Sequence, residues 1–415
     1  MKRNLIVAVA LAALLSACGA RIVPAPVAVG SVPAPVRKPV AATPLPPITN
    51  PGAAAGPNAV SAGLVAGPPI ASFGIDRTRA ARALAAFRLS CRELVRRNDV
   101  SGLTRGSDWT PACAAAQNVA DKDAGQFFAT NFEAVQVGDG KAFATGYYIP
   151  EILGSRERRK GYEVPIYGRP TDLIDVDLGK FSDALKGKSV RGRVDGKSLV
   201  PYYDRGQIEN GAMLNAPIIA WAADPVALFF LQVQGSGNLS LPDGGTLRIG
   251  YDSQNGRDYT GIGALMRDRG LLQPGHATMQ DIVAWLRANP EKGRDIMREN
   301  KSYVFFRLLD GPPLGAMGLP VTGGVTVAAD AKFIPLGAPV FLSMDRTDAT
   351  GLWIAQDTGG AIKGANRVDT FWGDGREAEA IAGGMSGRGT AWVLVPVGTL
   401  ARLQGAAGGG ATPQR

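Results

Sequence analysis

Two aspartates flank a glycine-rich turn late in the sequence. Asp357 and Asp369 stand in AQDTGGAIKGANRVDTFWG, with Lys363 between them. A third, Asp330, precedes an apolar run in VAADAKFIPLGAPVFL. A free aspartate has a pKa of about 3.9 and serves as an acid near neutrality only when burial or a second carboxylate raises it. Two carboxylates on one loop supply both means. Cleavage of a glycosidic bond needs little more, since one protonated carboxyl can give its proton to the leaving oxygen. The same residues also suit a turn-capping surface loop, the ordinary role of an aspartate beside glycine or at a strand entry. Other catalytic sets are poorly supplied. His276, in LLQPGHATM, is the only histidine, which argues against a triad with histidine as base. There is no CxxC pair, so no metal site is expected.

The elements that must hold these aspartates read mostly as short strands. Candidates are KAFATGYYI, EVPIYG, IIAWAA, ALFFLQVQ, TLRIGY, YVFFRLL, VTVAA, APVFLSM, LWIAQD and TAWVLVPV, separated by Gly and Pro at intervals that suit a barrel. With 54 glycines, many tight turns are expected. Asp330, Asp357 and Asp369 each fall at a strand end, where a barrel mouth would gather them. Two stretches have helical spacing: Arg77 to Arg97, and Thr278 to Asn300, where Thr278 is a candidate N-cap and Pro290 an interruption. QVQGSG places Gln234 and Ser236 beside glycines on an expected strand. Thr145, Tyr147 and Tyr148 lie together in ATGYY. Tyrosine rings there suit stacking on sugar faces, although core packing accounts for at least one of them equally well.

The ends of the chain differ in kind from its middle. Met1-Lys2-Arg3 and LIVAVALAALLSA form a basic then apolar leader of secretory length. Leu15-Ser16-Ala17-Cys18 resembles a bacterial lipoprotein box, so residues 1–17 are expected to be a signal peptide and Cys18 a lipidated N-terminus. Gly19 at the next position favours the outer membrane. Residues 18–72, rich in Pro and Ala, read as a tether, and 403–415 as a flexible tail. In an oxidising compartment Cys91 and Cys113 either pair or remain buried thiols. The net charge of +9 is scattered, as in GSRERRKG, with no arginine-rich arm, so no nucleic-acid partner is expected.

The aspartate motif and long stretches around it resemble the membrane-bound lytic murein transglycosylase A family. The stretches are ATGYYIPEILGSRERRKGYEVPIYGRPTDLI, IAWAADPVALFFLQVQGSGNLSLPDGGTLRIGYDSQNGRDYTGIG, and AADAKFIPLG with AQDTGGAIKGANRVDTFWG. The resemblance covers roughly residues 73–397. It implies a mainly β fold: a double-psi β-barrel, residues 73–150 plus 303–402, split by an inserted β-domain, 151–302, with a substrate groove between them. It implies non-hydrolytic cleavage of the MurNAc-β-1,4-GlcNAc bond of peptidoglycan to 1,6-anhydro products, without a cofactor. By the same correspondence Asp369 is the acid and Asp357 tunes it. Thr145, Tyr147, Tyr148, Gln234, Ser236, Asp330 and Lys363 become candidate substrate contacts. The implied partners are glycan strands and outer-membrane lipid at the periplasmic face, with murein synthases or divisome proteins as further candidates. Two other readings compete: an inverting glycoside hydrolase using both carboxylates, and a non-catalytic wall-binding lipoprotein.

Overall fold

The computed structural model describes residues 38–212, 215–273 and 278–408. The signal peptide, Cys18 and His276 lie outside them. The chain lays down β1 (Leu64–Ala66), α1 (Arg77–Leu94), α2 (Gly106–Ala116), α3 (Ala124–Asn131), β2 (Phe132–Val137) and β3 (Lys141–Ile149). An excursion follows through β4 (Glu151–Ser155), β5 (Val164–Tyr167), β6 (Ile174–Asp177), β7 (Ser189–Asp195), β8 (Ser198–Pro201), α4 (Arg205–Glu209), β9 (Ile218–Ala222) and α5 (Pro225–Gln234). It continues with β10 (Ser236–Ser240), β11 (Thr246–Gln254), α6 (Ile262–Asp268), α7 (Met279–Ala288), α8 (Pro290–Glu299) and β12 (Val304–Leu308). The return comprises β13 (Thr326–Ala329), β14 (Pro339–Met344), β15 (Gly351–Asp357), β16 (Arg367–Asp374), α9 (Gly375–Gly383), β17 (Ser386–Pro396) and α10 (Thr399–Gly408).

The first and last parts of the chain build one sheet, ordered β1-β2-β17-β14-β15-β13-β16-β3, and β17 also pairs with β3. That second pairing closes β3, β16, β13, β15, β14 and β17 into a six-stranded ring. A closed ring leaves no free edge between these strands. Two of its strands are buried on both faces: all of β14, and β15 as far as Gln356. This is why they read as unbroken apolar runs rather than alternating ones. α1 to α3 cover the outside, bringing Phe87, Trp109, Phe128 and Phe132 into one core with Trp353 and Trp392. Asp76 caps α1 by accepting from the Arg79 amide at 2.9 Å. Cys91 on α1 and Cys113 on α2 are disulfide-bonded.

The excursion forms a second sheet, β12-β11-β10-β4-β9-β5, with its own core around Ile166, Leu231, Leu239, Ile249 and Phe306. β6, β7 and β8 make a small third sheet.

Several expectations are corrected. ALFFLQVQ is the helix α5, not a strand. Asp224 caps it through the Val226 amide, Pro225 starts it, and Gly235 ends it at φ 84°. Its apolar run serves two cores, Leu228 and Leu231 in one and Val226 and Phe229 in another, so no helical stripe shows. The cover helices α2 and α3 were not anticipated either; alanine-rich and without a strong periodic face, they are hard to distinguish from loop. Of the expected tether, the described residues 38–72 lie on the body. Ala41 bridges to Arg346, the Leu45 amide donates to Ser343 Oγ, Ala59 and Ala62 are fully buried, and β1 pairs with β2. The excursion returns after Leu308 rather than at residue 303, because β12 pairs with β11. The expected tail from 403 begins inside α10.

Candidate active site

β16 carries Asp369 between two ring neighbours, opposite Thr145 of β3 and Ala328 of β13. Asn366 sets this strand up. It takes a left-handed φ of 55°, and its buried amide donates to the Val137 carbonyl at 2.9 Å, which turns the chain into β16. The Thr145 hydroxyl donates to Asp369 Oδ1 at 2.6 Å. Protein atoms enclose most of the carboxylate while leaving it partly open to solvent. Burial raises its pKa to about 6; the Thr145 hydrogen bond and the charge of Arg367 pull downward, and the charge of Asp357 pushes upward. β16 therefore carries a carboxyl group whose pKa is raised toward neutrality, which is the physical requirement for an acid there.

Asp357 sits at the end of β15 with its oxygens occupied. Oδ1 accepts from the amides of Ala316 and Thr358, each at 2.9 Å, and Oδ2 accepts from the Tyr147 hydroxyl at 2.8 Å. Burial raises its pKa against these hydrogen bonds. Tyr147, whose ring tilts against Phe371 at 4.9 Å, has its own pKa raised by burial and then by Asp357. Gly315 lets the Ala316 loop reach the site, for a Cβ there would stand 2.5 Å from the Gln356 carbonyl. Gln356, fully buried, accepts from Thr326 Oγ1 and donates to the Ala86 carbonyl and Ser90 Oγ of α1. The helix next to the disulfide thus supports the residue before Asp357.

The other candidates scatter. Asp330 holds the loop: its Oδ2 accepts from the Gly364 amide and its Oδ1 from the Lys332 amide, both backbone contacts. Lys363 is exposed on that loop. Tyr148 is a core residue, 8% exposed and packed with Ala378 and Ala382. Gln234 lies at the end of α5, where its Oε1 accepts from the Tyr148 amide. Ser236 lines a cleft of about 190 Å³ with Ile149, Asn238, Arg248, Pro312 and Asp374. That cleft lies toward the C-terminal ends of β3 and β16, away from Thr145 and Asp369 in sequence register. Gly146, between Thr145 and Tyr147, is required by packing: a Cβ there would stand 2.8 Å from Met385.

Two neighbours of Asp369 were not singled out from the sequence. Arg367 precedes it by two on the same strand, so it shares its face. Tyr259, from the excursion, has its pKa raised by burial and then by the charge of Asp369, which brings the inserted segment within electrostatic reach of the acid. The only sequence signal for Tyr259 was its place in NGRDYTGIG. Among the described residues no three His, Cys, Asp or Glu side chains gather as metal ligands.

Comparisons with known proteins agree on one group. Family models match at residues 143–307, described as the MltA specific insert domain, and at 325–395, the 3D domain. A crystal structure of MltA from Neisseria gonorrhoeae is 36% identical, covers 88% of this chain and 97% of its own, and superposes with a TM-score of 0.66. The crystal structure of a membrane-bound lytic murein transglycosylase from Agrobacterium tumefaciens is 29% identical, with 76% and 93% coverage and a TM-score of 0.67. The membrane-bound lytic murein transglycosylase A of Escherichia coli (strain K12) is 31% identical over 267 residues. That match spans 61% of this chain and 66%, just under two thirds, of the relative. The mainly β architecture in two parts is common to this chain and the solved structures.

Proposed function

The chain belongs to the membrane-bound lytic murein transglycosylase A family, and on that premise we propose that it cleaves the MurNAc-β-1,4-GlcNAc bond of peptidoglycan without water. The ring is read as a double-psi barrel, and the substrate groove as the space between it and the inserted sheet. The observation that carries the reading is Asp369: one carboxyl group on a ring strand, with a pKa raised to about 6 and a single hydroxyl donor.

The chemistry needs that one group twice. Protonated Asp369 gives its proton to the glycosidic oxygen, the bond from that oxygen to C1 of the muramyl residue breaks, and N-acetylglucosamine leaves as the alcohol. The Asp369 carboxylate then takes the proton of the muramyl C6 hydroxyl as that oxygen bonds to C1. The acid is restored and a 1,6-anhydro ring is formed. Arg367 and the Thr145 hydroxyl favour the carboxylate stage; burial favours the acid stage. A pKa between the two extremes lets one side chain serve both.

The two-carboxylate hydrolase is disfavoured by Asp357. Its oxygens already accept three hydrogen bonds, so it is poorly placed to activate a water. Asp357 and Tyr147 instead fix the charge beside Asp369. A wall-binding protein without activity gives no reason to keep a largely enclosed carboxyl that no cation among the described residues pairs directly.

Thr145→Val tests the assignment. Removing the hydroxyl removes a hydrogen bond that favours the ionised form, so the Asp369 pKa rises. On this assignment activity needs the protonated acid, so in the wild type it should fall as pH rises through the Asp369 pKa of about 6. In the variant that alkaline limb moves to higher pH, read from kcat/KM on purified glycan strands. An unmoved limb, or one moved downward, contradicts Asp369 as the acid.

A further inference from the structure

The third sheet wears its amphipathicity inside out. In the antiparallel register Ile174 lies opposite Gly192, Val176 opposite Val190, and Val194 opposite Leu199. Alternation puts Ile174, Val176, Val190, Val194, Leu199 and Pro201 on one face, and Asp175, Arg191 and Arg193 on the other. The two arginines of the charged face reach toward the body, while Asp175 beside them stays exposed. Arg191 pairs with Asp175 and donates to the Tyr251 hydroxyl at 3.3 Å and the Gln254 carbonyl at 3.4 Å, and Arg193 lies over the Tyr203 ring at 4.6 Å. The apolar face is turned to solvent: Val194 is 59% exposed, Leu199 48% and Val190 42%, and Phe181, in the β6–β7 connection, is 76% exposed. A sheet with one wet face ordinarily does the reverse. Apolar surface gathered this way marks a place where something binds.

The rim says what kind of partner. Lys180, Lys186, Lys188 and Lys197 are all exposed, and none has an ion-pair partner among the described residues. Of the nearby carboxylates, Asp175 and Asp195 are paired with arginines and Asp177 caps the Gly179 amide, which leaves exposed Asp183 as one negative charge among the four lysines. Protein–protein interfaces are depleted in lysine. Aliphatic and aromatic side chains ringed by free lysines fit the boundary between anionic headgroups and acyl chains.

We propose that this face docks on an anionic lipid bilayer, with Phe181, Val194 and Leu199 entering the headgroup boundary and the four lysines meeting lipid phosphates. The inference rests on the proposed membrane tether only for proximity: nineteen residues, Gly19 to Arg37, have a maximum reach of about 60 Å at ~3.1 Å each.

The full-length protein, reconstituted on neutral phosphatidylcholine vesicles and on vesicles containing phosphatidylglycerol, provides the test. Flotation reads the tether, and acylation of lysines by a water-soluble reagent, normalised to Lys141, reads the sheet. On the anionic vesicles the four lysines should label about tenfold more slowly than on the neutral ones and recover at high salt. A Val194→Asp, Leu199→Asp protein should lose this protection and still cleave glycan strands; Phe181→Ser, in an exposed connection, gives the same comparison if the double variant misfolds. Equal labelling on both vesicles by a protein that floats overturns the docking face and leaves the tether standing. Protection on anionic vesicles without flotation on neutral ones supports the sheet and removes the tether. Protection in lipid-free solution that grows with protein concentration assigns the face to a second copy and overturns the proposal.

Discussion

Asp369→Asn should leave a folded protein that is close to inactive and, near neutral pH, more stable than the wild type. Loss of a general acid–base group costs typically about 10²–10⁴ in rate, and here no second carboxyl is free to replace it. Asparagine still accepts the Thr145 hydroxyl, so the strand register is unchanged. The stability gain follows from linkage. The folded pKa of about 6 lies above the ordinary aspartate value of 3.8, so the native state holds its proton more tightly than the unfolded chain. Stability from this group is therefore fully present below the unfolded pKa and is lost as pH rises through the folded pKa. Above that point the ionised carboxylate costs up to about 3 kcal/mol, which asparagine does not incur. Urea unfolding near pH 8 should show the variant ahead, and near pH 4 the two should coincide. A variant less stable than the wild type at pH 8 would mean that Asp369 is a structural residue. Asp357→Asn, by contrast, should be only partly impaired, because that side chain positions and tunes its neighbour.

How much of this was legible in the sequence depended on whether a signal was local. The strand end bearing Asp357 was readable, because the apolar run LWIAQ stops at a glycine turn there; Asp369 was expected at a strand end after a polar loop and instead lies inside β16, whose polar sequence RVDTFWGD carries no apolar run to announce a strand. The pairing of Asp369 with Thr145 was not readable either, since it joins residues far apart in the chain through a parallel register. Asp330 and Tyr148 looked like site residues by proximity in motif. In the folded chain one ties down a loop and the other fills a core, and only tertiary contacts separate those uses. α5 failed as a strand because its apolar residues face two cores at once. The Pro- and Ala-rich segment failed as a tether over 38–72 because short strands and single backbone bridges need no hydrophobic periodicity. The inverted face of β6–β8 could not be read from alternation, which shows two faces and not which one is wet.

Cys18→Ser should move the protein from the membrane to the soluble fraction, or block its processing. Cys18 lies outside the described residues, and no described helix is long and apolar enough to cross a membrane. On the proposed anchor, stable attachment comes from the lipid that the LLSAC box would receive. At ~0.8 kcal/mol for each buried methylene, a single acyl chain holds only marginally, whereas a cysteine with several chains is held firmly. Fractionation of cells with and without the substitution decides the matter, and a variant that stays membrane-bound with normal trimming excludes the lipid anchor.

On the proposed mechanism one carboxyl group closes a ring on the substrate instead of adding water to it. Mass analysis of the fragments released from purified peptidoglycan tests this directly. Muramyl ends should be lighter by one water, carry the 1,6-anhydro bond and resist borohydride reduction. Reducing ends of full mass, with Asp357→Asn as inactive as Asp369→Asn, would contradict it and restore the two-carboxylate hydrolase.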